Sequence, residues 1–533
     1  MSITRRQFVQ SSLMTGAGMM LGPLSGFRNP SSLVLFGVNP FIVQNPAAVF
    51  VMRTNVDVKT NSEAIRKVGL DFGRSVFGLT DDTDQGIPLT HKVVIKPNLT
   101  CRFSDDSRYT IKGTMGIVTD AFFVEGVVES LKELGMSGGQ FYIREVNCPD
   151  EFADGGYVSM AERTGIDLKG ISTPASELPS ESVKWVDVPD GIWFKKIPYL
   201  WPVNAPDTFL LNISKFKTHS MGMTLCAKNL QGTIAMNYQA HCTAYGTTMK
   251  GVNYDHISSS ANEDILTNYK KHIHEYVPRW DRPGSNGGLW QETWATRCID
   301  NNSVTVAGLH IIEGIYGRDG NFINGPNEGG LASDYMTNYI IFGRNQFYVD
   351  IIGHYLGGHE PGNFGLFHLA KERGMISTIN PADIPVYEWN PVTGAVRSNL
   401  ADFQQYPLKT LYLQRDYNGQ TEPYWHLVNE TCYYSGTGIN DITDNSSGFY
   451  IQQNFPNPVR QQTSISFHLP GDGHTLVEIL NNNGQVIDII CNKQLICGDH
   501  LLNWNSSNKP DGLYICRIIF AGSVKTTKIM VTH

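Results

Sequence analysis

The chain is short of cysteine, of charge and of long apolar runs, and each shortage excludes something. Nine cysteines stand in 533 residues, at 101, 148, 226, 242, 298, 432, 491, 497 and 516, and no two form a C-x-x-C pair. Thiolate zinc sites and ferredoxin-type iron–sulfur clusters therefore have no local signature. The odd count leaves at least one thiol free or paired between chains; Cys491 with Cys497 or Cys516 is one open pairing. Charged residues make up only 17%, with 42 Lys plus Arg against 50 Asp plus Glu and a net charge of −8. Without basic blocks, nothing points to nucleic acid or to anionic membranes. No segment offers 18 continuous apolar residues, so no transmembrane helix is expected. The G-x-S-x-G elbow, the Walker loop, G-x-G-x-x-G after a strand and H-E-x-x-H are absent too. Serine hydrolases, P-loop enzymes and Rossmann dehydrogenases lose support accordingly.

What remains is globular. Apolar residues reach 41%, too many for a disordered chain, and 52 glycines imply many tight turns. At 533 residues the chain exceeds one ordinary domain. Its two ends differ from its middle. At the start, Thr4-Arg5-Arg6-Gln7-Phe8-Val9 precedes a modest, glycine-containing apolar stretch at 13–21. Residues 1–27 resemble a twin-arginine signal peptide, which implies the twin-arginine translocase as a partner and export of a folded protein.

The C-terminus reads as all-β. Residues 435–449 are small and polar, as in a linker. Beyond them Ile465, Phe467 and Leu469 alternate with polar residues, a half-buried strand. Segments 476–480 and 486–490 flank Asn483-Gly484, a hairpin signal, and 513–520 and 524–531 form a second pair. A β-sandwich over 450–533 is expected. The ordered motifs Asn454-Phe455-Pro456-Asn457-Pro458, Asn483-Gly484-Gln485-Val486, Gly512-Leu513-Tyr514 and Lys528-Ile529-Met530 resemble the type IX secretion sorting domain. That resemblance implies a Bacteroidetes-type host, the type IX machinery as a partner, and passage through the periplasm to the cell surface or beyond. Val459 stands where the family often has Phe.

The middle, 28–434 with a core at 92–380, alternates strands and helices. Strands are expected at 92–96, 141–146, 183–188, 208–213 and 339–342. Helices are expected from a cap at Thr119 or Asp120 to Gly135, at 157–164, and at 346–356 capped by Asn345. This order predicts an α/β domain, a mostly parallel sheet flanked by helices. Ligands of such sheets bind beyond the carboxyl ends of the strands. There stand Lys96 and Asn98, then Lys215, Lys217 and His219, then Lys228 and Asn229, and Glu313. The stretches Val93-Val94-Ile95-Lys96-Pro97-Asn98, Asn212-Ile213-Ser214-Lys215-Phe216-Lys217-Thr218-His219, Lys228-Asn229-Leu230-x-Gly232 and Val349-Asp350-x-x-Gly353 resemble domain-of-unknown-function family 362. The resemblance carries no established reaction. Some relatives hold cysteine clusters that this chain lacks.

Three chemistries fit these residues. In an enzyme acting on a small anion, Lys96, Asn98, Lys215 and Asn229 would bind the ligand. Lys217, His219 and Lys228 would do catalytic work, with His219 as acid or base. Asp350 and His354, four apart on a helix, would suit a metal; any other cofactor stays open. Asp350 among apolar neighbours needs a partner, for which a lysine is the obvious choice. The alternative is a secreted sugar- or peptide-binding protein without catalysis. Its aromatic insert would be Tyr254, Tyr269, Tyr276, Trp280, Trp290 and Trp294.

Overall fold

The computed structural model describes residues 34–99, 116–146, 152–153, 155–170, 179–219, 222–223, 225–235, 255–275, 277, 280–281, 289–318, 334–406, 408, 414–415, 449–451, 454, 456–482, 484–521 and 523–533. Two compact units result, Met1–Val428 and Asn429–His533. The elements used below run in chain order. The first unit has β1 (Val49–Arg53), α1 (Ser62–Val76), β2 (Lys92–Pro97), α2 (Ala121–Glu133), β3 (Phe141–Glu145), α3 (Tyr157–Thr164) and β4 (Asp167–Gly170). It continues with β5 (Val183–Asp187), β6 (Lys196–Leu200), β7 (Thr208–Lys215), α4 (Cys226–Asn229), α5 (Ala261–His274), α6 (Leu289–Val304) and β8 (Leu309–Arg318). It closes with β9 (Asp334–Gly343), α7 (Gln346–Leu356), α8 (Gly365–Glu372), β10 (Val386–Asn390) and β11 (Gly394–Arg397).

Nine of these strands form one sheet, in the order β11-β10-β1-β9-β8-β7-β2-β3-β4. The pairs β4–β3, β3–β2, β2–β7, β7–β8 and β10–β1 are parallel, and β8–β9, β9–β1 and β10–β11 antiparallel. The architecture is thus the mostly parallel, helix-flanked sheet the sequence implies. Parallel strands covered on both faces read as continuous apolar runs, and β2 and β7 do. One face packs Ile65 and Phe72 of α1 and Phe123, Val127 and Leu131 of α2 against Val93, Ile95, Leu211 and Ile213. The other buries Val94 and Leu210 under Phe194, Ile197, Tyr199, Leu230 and Ile265. Helices α1 and α2 lie close because glycines meet at the contact. A Cβ on Gly69 would stand 2.1 Å from the Phe123 carbonyl oxygen, and one on Gly126 2.1 Å from that of Arg66.

Of the two caps foreseen for α2, Asp120 is the one whose side chain accepts the Phe122 amide. Two expectations need correction. The strand expected at 183–188 does not join the main sheet; among the described residues β5 pairs only with β6, as a separate antiparallel ribbon. The sheet also extends past the expected core on both sides, since β1 lies upstream of 92 and β10 and β11 lie within 381–434.

The order of connection reverses once within the parallel part of the sheet. From β2 the chain moves outward to β3 and β4, then returns to the opposite side of β2 to lay down β7 and β8. Strand order reverses between β2 and β7. In open α/β sheets that reversal opens a crevice beyond the carboxyl ends of the two strands.

The second unit has β12 (Tyr450–Ile451), β13 (Gln462–Leu469), β14 (Gly473–Leu480), β15 (Val486–Leu495), β16 (Gly498–Asn505), β17 (Gly512–Phe520) and β18 (Ser523–Val531). They form two antiparallel sheets, β12-β13-β16 and β15-β14-β17-β18. Ile465, Phe467 and Leu469 face the core with Val477, Ile479, Trp504, Ile518 and Ile529, as their alternation requires. Both foreseen hairpins form, and Gly484 takes the left-handed φ of 77° that its turn demands. Cys226, Cys298, Cys491, Cys497 and Cys516 are free thiols, so neither open pairing of Cys491 is made. Residues 1–33, where a twin-arginine signal was expected, and 435–448 lie outside the described residues.

Candidate functional site

Lys96 closes β2 at the switch point with its side chain buried. Its ammonium donates to Glu145 Oε2 at 2.6 Å, to Asn229 Oδ1 at 3.0 Å and to the Pro97 carbonyl at 2.5 Å. An ammonium has three donors, so Lys96 is fully used. Glu145, the last residue of β3, also accepts the amides of Val146 and Leu99. Burial pushes the Lys96 ammonium down, against the pull of Glu145, and the nearby Lys228 charge adds to the depression. Burial likewise pushes the Glu145 carboxyl up, against the pull of Lys96. Both partners are driven toward their neutral forms. Gly232 lies over the pair, where a Cβ would come within 2.3 Å of Glu145 Oε1 and 2.4 Å of Lys96 Cε. Only glycine lets the backbone lie there.

A polar chain continues across the sheet. Asn229 donates to the Lys96 carbonyl at 2.9 Å and to Asn212 Oδ1 at 2.7 Å. Asn212 in turn bonds the Cys226 carbonyl and His310 Nδ1. Burial holds the His310 imidazole down at about 3, so it is neutral and can accept at Nδ1. The chain ties β3, β2, α4, β7 and β8 together.

The second foreseen lysine is also paired. Lys215, which ends β7, meets Glu313 of β8 at 2.6 Å, with both side chains at 0% exposure. Glu313 further accepts the amides of Asp120 and Ile315, and burial raises its carboxyl. The Lys215 ammonium stands 3.9 Å from the centre of the Tyr316 ring, and Tyr316 donates to Asp120 at 2.6 Å. Asn98 is held through Thr119 and the Ile117 carbonyl. Lys96, Asn98, Lys215 and Asn229 are therefore committed to internal partners. Lys217 is buried just past β7. The backbone of His219 lies in a short two-stranded ribbon, and its side chain is outside the described residues.

Lys228 differs from all of these. It sits half-buried on α4, beside the Lys96 ammonium whose titration it perturbs. Among the described residues it has no carboxylate partner and no side-chain hydrogen bond.

Of the two residues read as metal ligands, Asp350 has backbone partners, whereas the buried His354 Nε2 has no hydrogen-bond partner among the described residues. Asp350 accepts the Cys226 amide at 2.7 Å and the Ala227 amide at 2.8 Å, so it holds the first turn of α4. Its partner is a pair of backbone amides, where a lysine was expected. Burial raises the Asp350 carboxyl to about 7. His354 is stacked on Phe364 at 4.8 Å and edge-on to Phe367 at 4.9 Å, and burial pushes its imidazole well below the ordinary value. Among the described residues no group of three or more His, Cys, Asp or Glu is placed to hold a metal ion. Two side chains of the aromatic insert are described. Trp294 is in the interior, donating to Gln231, and Tyr269 packs on the core. The other side chains of that set lie outside the described residues. His272 is buried between Glu292 at 2.9 Å and Glu372 at 2.8 Å.

Sequence reading missed Glu145, Asn212, Tyr316 and Gly232 as site residues. Glu145 had a signal, a lone acid closing an apolar strand at the carboxyl end of the sheet. Asn212 opens the 212–219 stretch that resembles family 362, yet an asparagine inside a strand looks like any tolerated polar residue.

Residues 93–354 match the family described as Domain of unknown function (DUF362), a span that brackets Lys96, Glu145, Lys215, Lys228, Glu313 and Asp350. Residues 453–532 match the Secretion system C-terminal sorting domain. No curated protein matches the chain. Among solved structures, the Ig1 domain of mouse SynCAM 2 aligns at 16% identity over 16% of this chain and 92% of its own, with a TM-score of 0.12. PorZ, a surface component of the type IX secretion system of Porphyromonas gingivalis, aligns at 12% identity over 27% of this chain and 19% of its own, with a TM-score of 0.13. At such TM-scores neither likeness bears on fold or function. The sorting domain marks a protein exported to the cell surface or extracellular space by the type IX machinery. Among the described residues no helix is long and apolar enough to cross a membrane.

Proposed function

We propose that the crevice at the carboxyl ends of β2 and β7 binds a small anion, and that the protein is an enzyme acting on it. Lys228 carries the reading. A half-buried ammonium that has no carboxylate among the described residues, next to a second buried ammonium, is electrostatically unfavourable until an anion joins it. Lys217 and His219, from the end of β7, are its companions, with His219 as acid or base. Lys96 works as a positioning residue, since its three donors already hold Glu145, Asn229 and Pro97. We also infer that residues 1–27 direct the folded chain through the twin-arginine translocase before the sorting domain acts.

Thermal shift of the full chain with inorganic phosphate, citrate and malonate tests this. At least one should raise the wild-type melting temperature, and Lys228→Ala should lose that rise while melting within a few degrees of wild type without anion. A charge-assisted contact of about 1.5–3 kcal/mol corresponds to roughly 10- to 100-fold in affinity. An equal rise in both proteins would remove Lys228 from the site.

A further inference from the structure

The two sheets of the second unit have unlike outer faces. In a sandwich the inward positions of each strand pack together, and the alternate, outward positions are polar as a rule. The sheet β12-β13-β16 follows that rule. The outward residues of β13 are Gln462, Ser464, Ser466 and His468, and across the pair Ser464 faces Asn503 and Ser466 faces Leu501. The sheet β15-β14-β17-β18 departs from it. Leu476, Glu478 and Leu480 of β14 alternate with the core residues Val477 and Ile479, so they point outward. By the same alternation Leu513, Ile515, Arg517 and Ile519 of β17 point away from the core residues Tyr514, Cys516, Ile518 and Phe520.

Register sets these residues in rows across the sheet. Leu480 pairs with Ile515, Glu478 with Arg517 and Leu476 with Ile519. On one side Val486 and Ile489 of β15 extend the first two rows, and on the other Val524 of β18 extends the third, with Met530 beside Leu513. Val486, Ile489, Leu513, Val524 and Met530 are between 38% and 56% exposed. The centre holds one ion pair, Arg517 to Glu478 Oε2 at 2.6 Å. Four strands about 4.8 Å apart and about eight residues long cover about 500 Å². An outer face of that size, apolar except near its middle, marks a contact surface.

We propose that this face joins two copies of the chain, stacked sheet on sheet about a two-fold axis. Self-complementarity selects a second copy as the occupant. An axis parallel to the strands, midway between β14 and β17, carries β14 of one copy onto β17 of the other. Each Glu478 then meets the partner's Arg517, each Leu480 the partner's Ile515 and each Leu476 the partner's Ile519. Two ion pairs merge into four alternating charges, with no like charges opposed among them. Stacked sheets keep their strands within about 30° of each other, which such an axis permits. The two faces together bury about 1,000 Å², the lower bound of a specific interface, so association is expected in the micromolar range. This contact is independent of the anion crevice, which belongs to the first unit.

Sedimentation equilibrium of the full chain, from about 1 to about 200 µM, tests it. Wild type should pass from the mass of one chain to that of two. Ile489→Asp places an acid on a side chain already half in water, so the fold should persist while association weakens about tenfold or more. Ile515→Asp, nearer the axis, should weaken it about a hundredfold or more. Leu501→Asp, on the outer face of the other sheet, should leave it unchanged. The double variant Glu478→Arg/Arg517→Glu keeps an ion pair within each chain. It should dimerise with itself, yet a tagged copy should not capture wild type, because like charges would then oppose across the axis. A wild type monomeric throughout would give the face to another partner and overturn the assignment. So would association indifferent to both Ile489→Asp and Ile515→Asp, or free mixing of charge-reversed and wild-type chains.

Discussion

Replacing Lys96 with methionine is expected to destabilise the Met1–Val428 unit by about 3–5 kcal/mol, because it strands a buried carboxylate. Lys96 and Glu145 are 2.6 Å apart at 2% and 4% side-chain exposure. Without the ammonium, Glu145 keeps only the Val146 and Leu99 amides, and Asn229 loses the donor to its carbonyl oxygen. The double variant Lys96→Met/Glu145→Met removes both charges and should recover much of the loss, since buried pairs replaced by apolar side chains often cost little. Urea denaturation of the three proteins measures this. A single-variant cost below about 1 kcal/mol, or a double variant no better than the single, would mean the pair is not what holds α4 to the sheet.

The second large effect is a pH dependence seated at Asp350. Its carboxyl stands at about 7 in the folded chain and near 3.8 when unfolded. Between those values the folded protein holds a proton that the unfolded chain has released. Stability contributed by this group is therefore highest in acid and falls as pH rises through that window. The limiting slope is about 1.4 kcal/mol per pH unit. Asp350→Asn cannot titrate. The stability of wild type relative to this variant should decline from about pH 4 to about pH 7 and level off above. A difference independent of pH across that range would show that Asp350 is ionised throughout. The same residue holds the amides of Cys226 and Ala227, so a disturbed α4 should also weaken anion binding at Lys228.

Much of the fold was legible because it rests on local patterns. The helix at 346–356, capped by Asn345, and the helix at 157–164, stopped by Gly165, match residue for residue, since local periodicity and the helix ends agree there. The alternation of Ile465, Phe467 and Leu469 likewise fixed one face of the sandwich. β1, β10 and β11 escaped because nothing local says that 49–53 and 386–397 join one sheet; that is decided by long-range pairing. The ribbon β5–β6 was misplaced for the same reason.

The site was half legible. Lysines at strand ends could be seen, but whether each faces a ligand or a carboxylate depends on residues far away in sequence. Lys96 finds Glu145 and Lys215 finds Glu313, which turns two expected ligand contacts into buried supports. Asp350 and His354 share a helical face as their spacing demands. Their neighbours, two amides in one case and two phenylalanines in the other, come from other elements.

Diffraction from crystals of the full chain soaked in inorganic phosphate should show a bound anion about 3 Å from Lys228 Nζ, at the carboxyl ends of β2 and β7, that disappears in Lys228→Ala crystals. Phosphate found only elsewhere, with Lys228 bonded to a carboxylate of its own chain, would contradict the proposed site.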